Sequence, residues 1–403
     1  MLESAVPQAL APSAAPSAQR SSRLRAIAAG IGLVLLLGAC FWVRGMLLRS
    51  DVANRDFVAY WTTGRLLALH QNPYDQAAVF QIEKSHGATA AHAMVMRNPP
   101  WALVLAVPLG WFDAPTAGLF WLIAIIAAGL GSLQLVRPPG LKAIPLILIF
   151  FAPVLICVET EQMSLFVLLG LALFASLEQK RPFWAGAALT LVLLKPHVLL
   201  IFLMILTLDL WRGRKLRVFA GFLAGFAAAN VASLALDHAV WHEYFASMRQ
   251  ERLQDYFYPN LANLCRLMMG GRLVWPLAIP GVIAAVWALG YWWKHRNGWN
   301  WSAQLPLIAA VSVFVAPYSY PYDNVLFWPM VLAAWPRASR PARAVLVGLN
   351  LVAIGVTLRA SNVGSPLYIW TAPAWMVWCV YVGWREKSAD TPSAVPTLTV
   401  TSA

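Results

Sequence analysis

"TAGLFWLIAIIAAGLGSLQLV", Thr116–Val136, holds no charged residue from end to end. About 20 apolar residues wound as an α-helix cross a hydrocarbon core of ~30 Å, and only a helix or a closed barrel satisfies its own backbone there. Outward from this stretch, similar apolar runs recur from Ala26 to Trp384. The chain has 403 residues, of which 60% are hydrophobic and 12% charged, too few polar groups to cover a water-facing surface of that size. The period-2 alternation of an outer-membrane barrel is absent. These features predict an all-α polytopic membrane protein with about twelve transmembrane helices.

The charges orient it. The net charge is +13, but the basic residues form small clusters between apolar runs and no single patch, which argues against a nucleic-acid partner. Residues 1–25 read as a disordered cytoplasmic tail, 26–386 as the transmembrane domain and 387–403 as a second disordered cytoplasmic tail. Leu37-Gly38-Ala39-Cys40 faintly resembles a lipoprotein cleavage box, but the apolar run continues through Leu48 and favours an uncleaved first helix over Ala26–Leu48. Four cysteines are scattered without a C-x-x-C and read as packing residues.

A long segment, Arg49–Asn98, follows on the outer side. Within it, Phe57, Tyr60, Trp61, Leu66 and Leu67 fall at helical spacing and predict an amphipathic surface helix, ended by Asn72-Pro73. Pro99–Phe112 is short for a span and reads as re-entrant or surface-lying on the outer face. The threading then alternates. Thr116–Val136 comes in to Arg137/Lys142, Ile144–Val158 goes out, and Met163–Leu177 returns to Lys180-Arg181. A hairpin, Phe183–Leu194 and Pro196–Leu210, carries Lys195 at its outer tip. Val218–Leu236 leads to a second outer loop, Asp237–Arg272, and Leu273–Trp293 returns. Further spans finish at Arg385/Lys387. On this path seven basic clusters reach one face, with both termini in the cytoplasm at the cell's inner membrane.

Ionisable groups at membrane depth are costly, so each is a functional candidate. Asp56, Arg97, Glu159, Glu161, Lys195, His197 and Asp323 converge on the outer face. A cavity mixing carboxylates with Lys and Arg suits a substrate with an anionic group and a reaction that needs a base. Asp56 opens the predicted surface helix, where capping and base chemistry both fit. Lys195 is either a snorkelling lysine or an anion site, and Pro196 beside it frees backbone groups as in a polar cavity. Arg97 fits an interfacial anchor equally well. His197 lacks a second ligand at metal spacing, and no D-x-D motif is present, so no metal or other cofactor is expected. Asp323 needs a buried partner, for which Lys195 and Arg97 are candidates. Glu159 and Glu161 flank a turn and could simply be solvated.

Five segments in order resemble the membrane glycosyltransferases of family 87. "RDFVAYWTTGRLLALHQNPYD" (55–75) is similar to that family's first outer loop. "RNPPWALVLAVPLGWF" (97–112) resembles its aromatic-Pro-Pro segment, and "ETEQMSLFVLLGLALF" (159–174) its Gly-Gln segment. "LVLLKPHVLL" (191–200) resembles its Lys-Pro step, and "YPNLANLCRLM" (258–268) its Asn-x-Ser loop. Three departures stand out. Glu161 replaces the usual Gly before Gln162. Asn260-Leu261-Ala262 lacks the hydroxyl of Asn-x-Ser. Ser319-Tyr320-Pro321-Tyr322-Asp323 stands where many members carry Ser-Trp-x-His-His.

The resemblance implies a GT-C fold and an inverting transfer of a hexose, often mannose, from a polyprenyl-phosphate sugar to a glycan or lipid acceptor. It implies Asp56 as catalytic base and Lys195, with Arg97, at the donor phosphate. Arg55, Tyr60, Trp61, Glu159, Gln162, His197, Asn260, Tyr322 and Asp323 would line the substrate cavity. The competing class is a secondary transporter or flippase of lipid-linked sugars, whose sites tend to lie at the midplane between repeats.

Overall fold

A computed structural model describes residues 55–138, 141, 144–250, 256–360 and 362–390. The expected first span at 26–48, the tail over 1–25 and residues 391–403 of the tail expected over 387–403 lie outside the described residues, while 387–390 continue the last helix. Among those described, every regular element is helical. Four helices are long and apolar enough to cross a membrane: Ala114–Val136, Leu216–Leu236, Trp275–Gly298 and Arg340–Arg359. A fifth is reached if Pro182–Val192 and Pro196–Arg212, bent by 119°, are taken as one broken span.

We label the longer helices in chain order. They are α1 (Phe57–Ala68), α2 (Gln76–Ser85), α3 (Ala114–Val136), α4 (Ala152–Glu159), α5 (Ser164–Leu177) and α6 (Pro182–Val192). Next come α7 (Leu200–Arg212), α8 (Leu216–Leu236), α9 (Val240–Gln250), α10 (Leu261–Met268) and α11 (Ile279–His295). The last are α12 (Trp301–Phe314), α13 (Trp328–Ala334), α14 (Arg340–Arg359) and α15 (Thr371–Asp390).

Several expected spans are broken, and proline is the reason. The run expected over Ile144–Val158 splits into Leu146–Ile149 and α4, which has Pro153 in its first turn. The stretch around Asp323 is a 3-10 helix, Pro321–Phe327, that continues into α13 with Pro329 in its first turn. Proline lacks an N–H and is favoured where a helix begins or bends.

The helix expected on the membrane surface, α1, is buried almost all round. Phe57 to Gly64, Leu66 and Leu67 are all covered, and Arg65 is exposed. The covering layer is Pro100–Trp111, wound as three short helical turns. The two pack glycine to glycine. A Cβ on Gly64 would lie 2.1 Å from the Ala106 carbonyl oxygen, and one on Gly110 would lie 2.1 Å from the Gly64 carbonyl. Trp61 Nε1 donates to Phe112 O at 3.0 Å and Arg65 to Gly110 O at 3.2 Å, which ties the layer down. A second close crossing joins α6 to α8, where Gly186 faces the Val218 carbonyl and Gly221 the Phe183 carbonyl. Small residues let helix backbones approach in a bilayer, where dispersion replaces the hydrophobic drive.

Candidate active site

Two consecutive residues before α1 meet two consecutive residues in the turn from α4 to α5. Arg55 Nη1 lies 2.9 Å from Glu161 Oε1. Gln162 Nε2 donates to Asp56 Oδ2 at 2.5 Å, and Gln162 Oε1 accepts from the Tyr60 hydroxyl at 2.9 Å. Tyr60 stands one turn along α1 from Asp56. Asp56 is the N-cap residue by position, but its side chain makes no capping bond. Its carboxylate is instead directed to Gln162.

The turn has an identifiable helix-ending geometry. Glu161 N–H donates to Val158 O at 3.2 Å and Gln162 N–H to Cys157 O at 3.0 Å, the paired bonds of a Schellman motif. That motif needs a left-handed residue, and Glu161 takes it at φ 58°. Glycine is the usual occupant, which gives a physical account of why the resembling family carries Gly there. Trp121 Nε1 donates to the Glu161 carbonyl at 2.7 Å and pins the turn.

Burial pushes the Glu161 carboxyl up to about 7, against the pull of the Arg55 guanidinium. A carboxyl held above its unfolded value of about 4.3 adds stability below that value. That stability is lost as pH rises through about 7. The melting temperature of the detergent-solubilised wild type should therefore fall between pH 5.5 and pH 8 more steeply than that of Glu161→Gln. Equal slopes for the two proteins would remove Glu161 from this balance.

A second group is built on Lys195. Lys195 Nζ lies 2.9 Å from Asp323 Oδ1 and 3.0 Å from Ser164 Oγ, and Ser164 donates to the same Asp323 oxygen at 2.6 Å. Asp323 Oδ2 accepts the Tyr320 N–H at 3.0 Å, so both its oxygens are engaged. The ammonium sits 4.4 Å over the Tyr322 ring. All of this is buried, with Lys195 6% and Asp323 1% exposed. Lys195 stands at the break between α6 and the 3-10 turn Pro196–Leu199. The break exposes carbonyls that the Arg97-Asn98-Pro99-Pro100-Trp101 segment covers: Asn98 donates to Leu194 O and Trp101 to Leu193 O, each at 2.9 Å.

Ser164 and Gln162 belong to one turn, so the two groups are neighbours. Asp56 is raised mainly by burial; the Gln162 hydrogen bond, then the Lys195 charge, oppose this, with smaller effects from Asp323 and Arg97. Five segments distant in sequence thus share one electrostatic environment.

The remaining candidates spread out. Arg97 stacks 4.6 Å over Tyr256 and donates to its hydroxyl at 2.8 Å. It borders a set of tyrosines in ring contact, Tyr258, Tyr318, Tyr320 and Tyr322. His197 packs 5.0 Å from Tyr318. Asn260 caps α10 through the Asn263 N–H and donates to Ala316 O and Ser319 Oγ. Trp61, bonded to Phe112, packs against His86. Glu159 is exposed at the end of α4. Ser164 and the tyrosines at 318 and 320 were not among the sequence candidates. A single hydroxyl at the head of an apolar helix gives no periodic signal. Among the described residues no three His, Cys, Asp or Glu side chains gather as a metal site.

Comparison with protein families matches a model of glycosyltransferase family 87 to residues 97–317, more than half of the chain. Comparison with curated proteins and with solved structures gives no match. The matched stretch carries Arg97, Glu161, Gln162, Ser164 and Lys195, while Asp56 and Asp323 lie on either side of it and complete the same cluster. The chain belongs to glycosyltransferase family 87.

Proposed function

We propose that this membrane glycosyltransferase moves a hexose, mannose by family likeness, from a polyprenyl-phosphate sugar to a glycan or lipid hydroxyl. The reaction takes place on the outer face of the inner membrane, with inversion. About twelve spans in a GT-C arrangement, with both termini cytoplasmic, complete the reading. The observation that carries it is the shared environment of a carboxylate, Asp56, and a buried ammonium, Lys195.

In one displacement, Asp56 takes the proton from the acceptor hydroxyl. The acceptor oxygen bonds to the anomeric carbon as the bond from that carbon to the phosphate oxygen breaks. The electron pair leaves with polyprenyl phosphate. Attack opposite the leaving group inverts the anomeric centre. Charge grows on the phosphate, and a fixed cation beside it lowers the barrier. An ammonium has three N–H donors. Ser164 and Asp323 occupy two, which leaves one for a phosphate oxygen. The prenyl chain would lie in lipid, each buried CH₂ contributing ~0.8 kcal/mol.

The short, basic inner loops give no Gly-rich phosphate loop or soluble nucleotide-binding domain, which supports a lipid donor over a nucleotide sugar. Purified protein in vesicles, given radiolabelled polyprenyl-phosphate mannose and a membrane extract as acceptor pool, should release polyprenyl phosphate and label the extract. Labelling from a nucleotide sugar in the absence of lipid donor would reject the donor assignment. Movement of intact lipid-linked sugar across the vesicle, with no bond broken, would support the flippase.

A further inference from the structure

We infer that Gln162 is the positioning residue of the catalytic base: oriented by Tyr60, its amide aims Asp56 Oδ1 at the acceptor, and it does not itself touch substrate. The inference rests on the reading of Asp56 as base.

The geometry is a directed chain. The Tyr60 O–H can donate to Gln162 only through Oε1, which turns Nε2 toward Asp56 Oδ2. Without that hydroxyl the amide could rotate by half a turn and present its oxygen to the carboxylate. Gln162 is 8% and Tyr60 3% exposed, so both are inside the wall of the site, whereas Asp56 is only partly covered. One carboxylate oxygen is therefore committed to the wall and the other is left for chemistry. The flanking Arg55–Glu161 pair fixes the same turn from the other side. The charged groups acting on Asp56 are Lys195, Asp323 and Arg97, along with Glu161 across the turn. Gln162 donates directly to the Asp56 carboxylate.

Removal of that N–H disfavours the ionised carboxylate, which is the active form of a base. Its acid limb therefore moves to higher pH. Gln162→Leu should lower kcat about 10- to 100-fold, the range carried by a hydrogen bond to a charged group. The acid limb of kcat/KM should rise by about one pH unit, while the donor KM stays within about twofold. Tyr60→Phe should move the same limb in the same direction by less. A substrate-binding or purely structural Gln162 would behave differently. The first raises KM, and the second lowers the amount of folded protein without moving the limb.

The experiment measures pH profiles with radiolabelled polyprenyl-phosphate mannose for wild type, Gln162→Leu and Tyr60→Phe, with Asp56→Asn alongside. A raised acid limb at constant KM in either substitution supports the inference. If Gln162→Leu does not fold, the Tyr60→Phe profile decides. Unmoved limbs with Asp56→Asn inactive overturn the positioning role alone. An active Asp56→Asn overturns the base reading beneath it.

Discussion

Asp56→Asn should reduce sugar transfer about 10³-fold, within the range of about 10² to 10⁴ that a positioned general base supplies. The protein should remain folded, because the change is isosteric and Asp56 caps no helix with its side chain. The amide can still meet Gln162, with its own oxygen facing Nε2, so the contact survives while the proton acceptor is lost. This separates chemistry from packing better than alanine would. Thermal unfolding in detergent should differ little from wild type. Transfer at near the wild-type rate would leave Asp56 a wall residue.

Lys195 carries the second large effect, and here stability and activity should part. Lys195→Met keeps most of the side-chain volume but removes the partner of Asp323, which is almost wholly buried. Breaking a buried pair from one side typically costs about 3–5 kcal/mol, because the remaining charge is uncompensated. The melting temperature should fall steeply and transfer should be lost. Adding Asp323→Asn should restore much of the stability, since an apolar-neutral replacement of both partners is often tolerated. It should not restore transfer, because the ammonium proposed to face the leaving phosphate is then missing. Thermal unfolding and single-turnover release of polyprenyl phosphate check the two halves. Recovered transfer in the double variant would show that Lys195 serves only to neutralise Asp323.

Legibility in the sequence followed physical cost. The charge-free run at 116–136 predicted a helix that the structure places at Ala114–Val136, since nothing in it competes with helix formation. Asp56 and Lys195 were conspicuous because an ionised group in an apolar chain needs a reason. Asp323 could be matched to Lys195 or Arg97 but not to one of them, since a pairing across 128 residues depends on tertiary path. The end of α4 was legible to within a residue, since the expected span stopped at Val158 and the helix stops at Glu159, but the geometry of its turn was hidden. Its left-handed position holds Glu161, not the glycine that would have announced it. The spacing of Phe57, Tyr60 and Trp61 suggested one apolar face on α1. The small residues beside them, Ala59, Thr62, Thr63 and Gly64, are buried as well, and at Gly64 a covering layer closes over the helix.

The Lys195–Asp323 pair also bears on biogenesis. A chain emerging from the ribosome delivers Lys195 to the bilayer long before Asp323 is made. During that interval Lys195 lacks its direct ion-pair partner, which favours a position near the headgroups over the interior. The Pro321–Phe327 turn later supplies the Asp323 carboxylate. The Lys195 half of the cluster is thus completed only once residue 323 has been made.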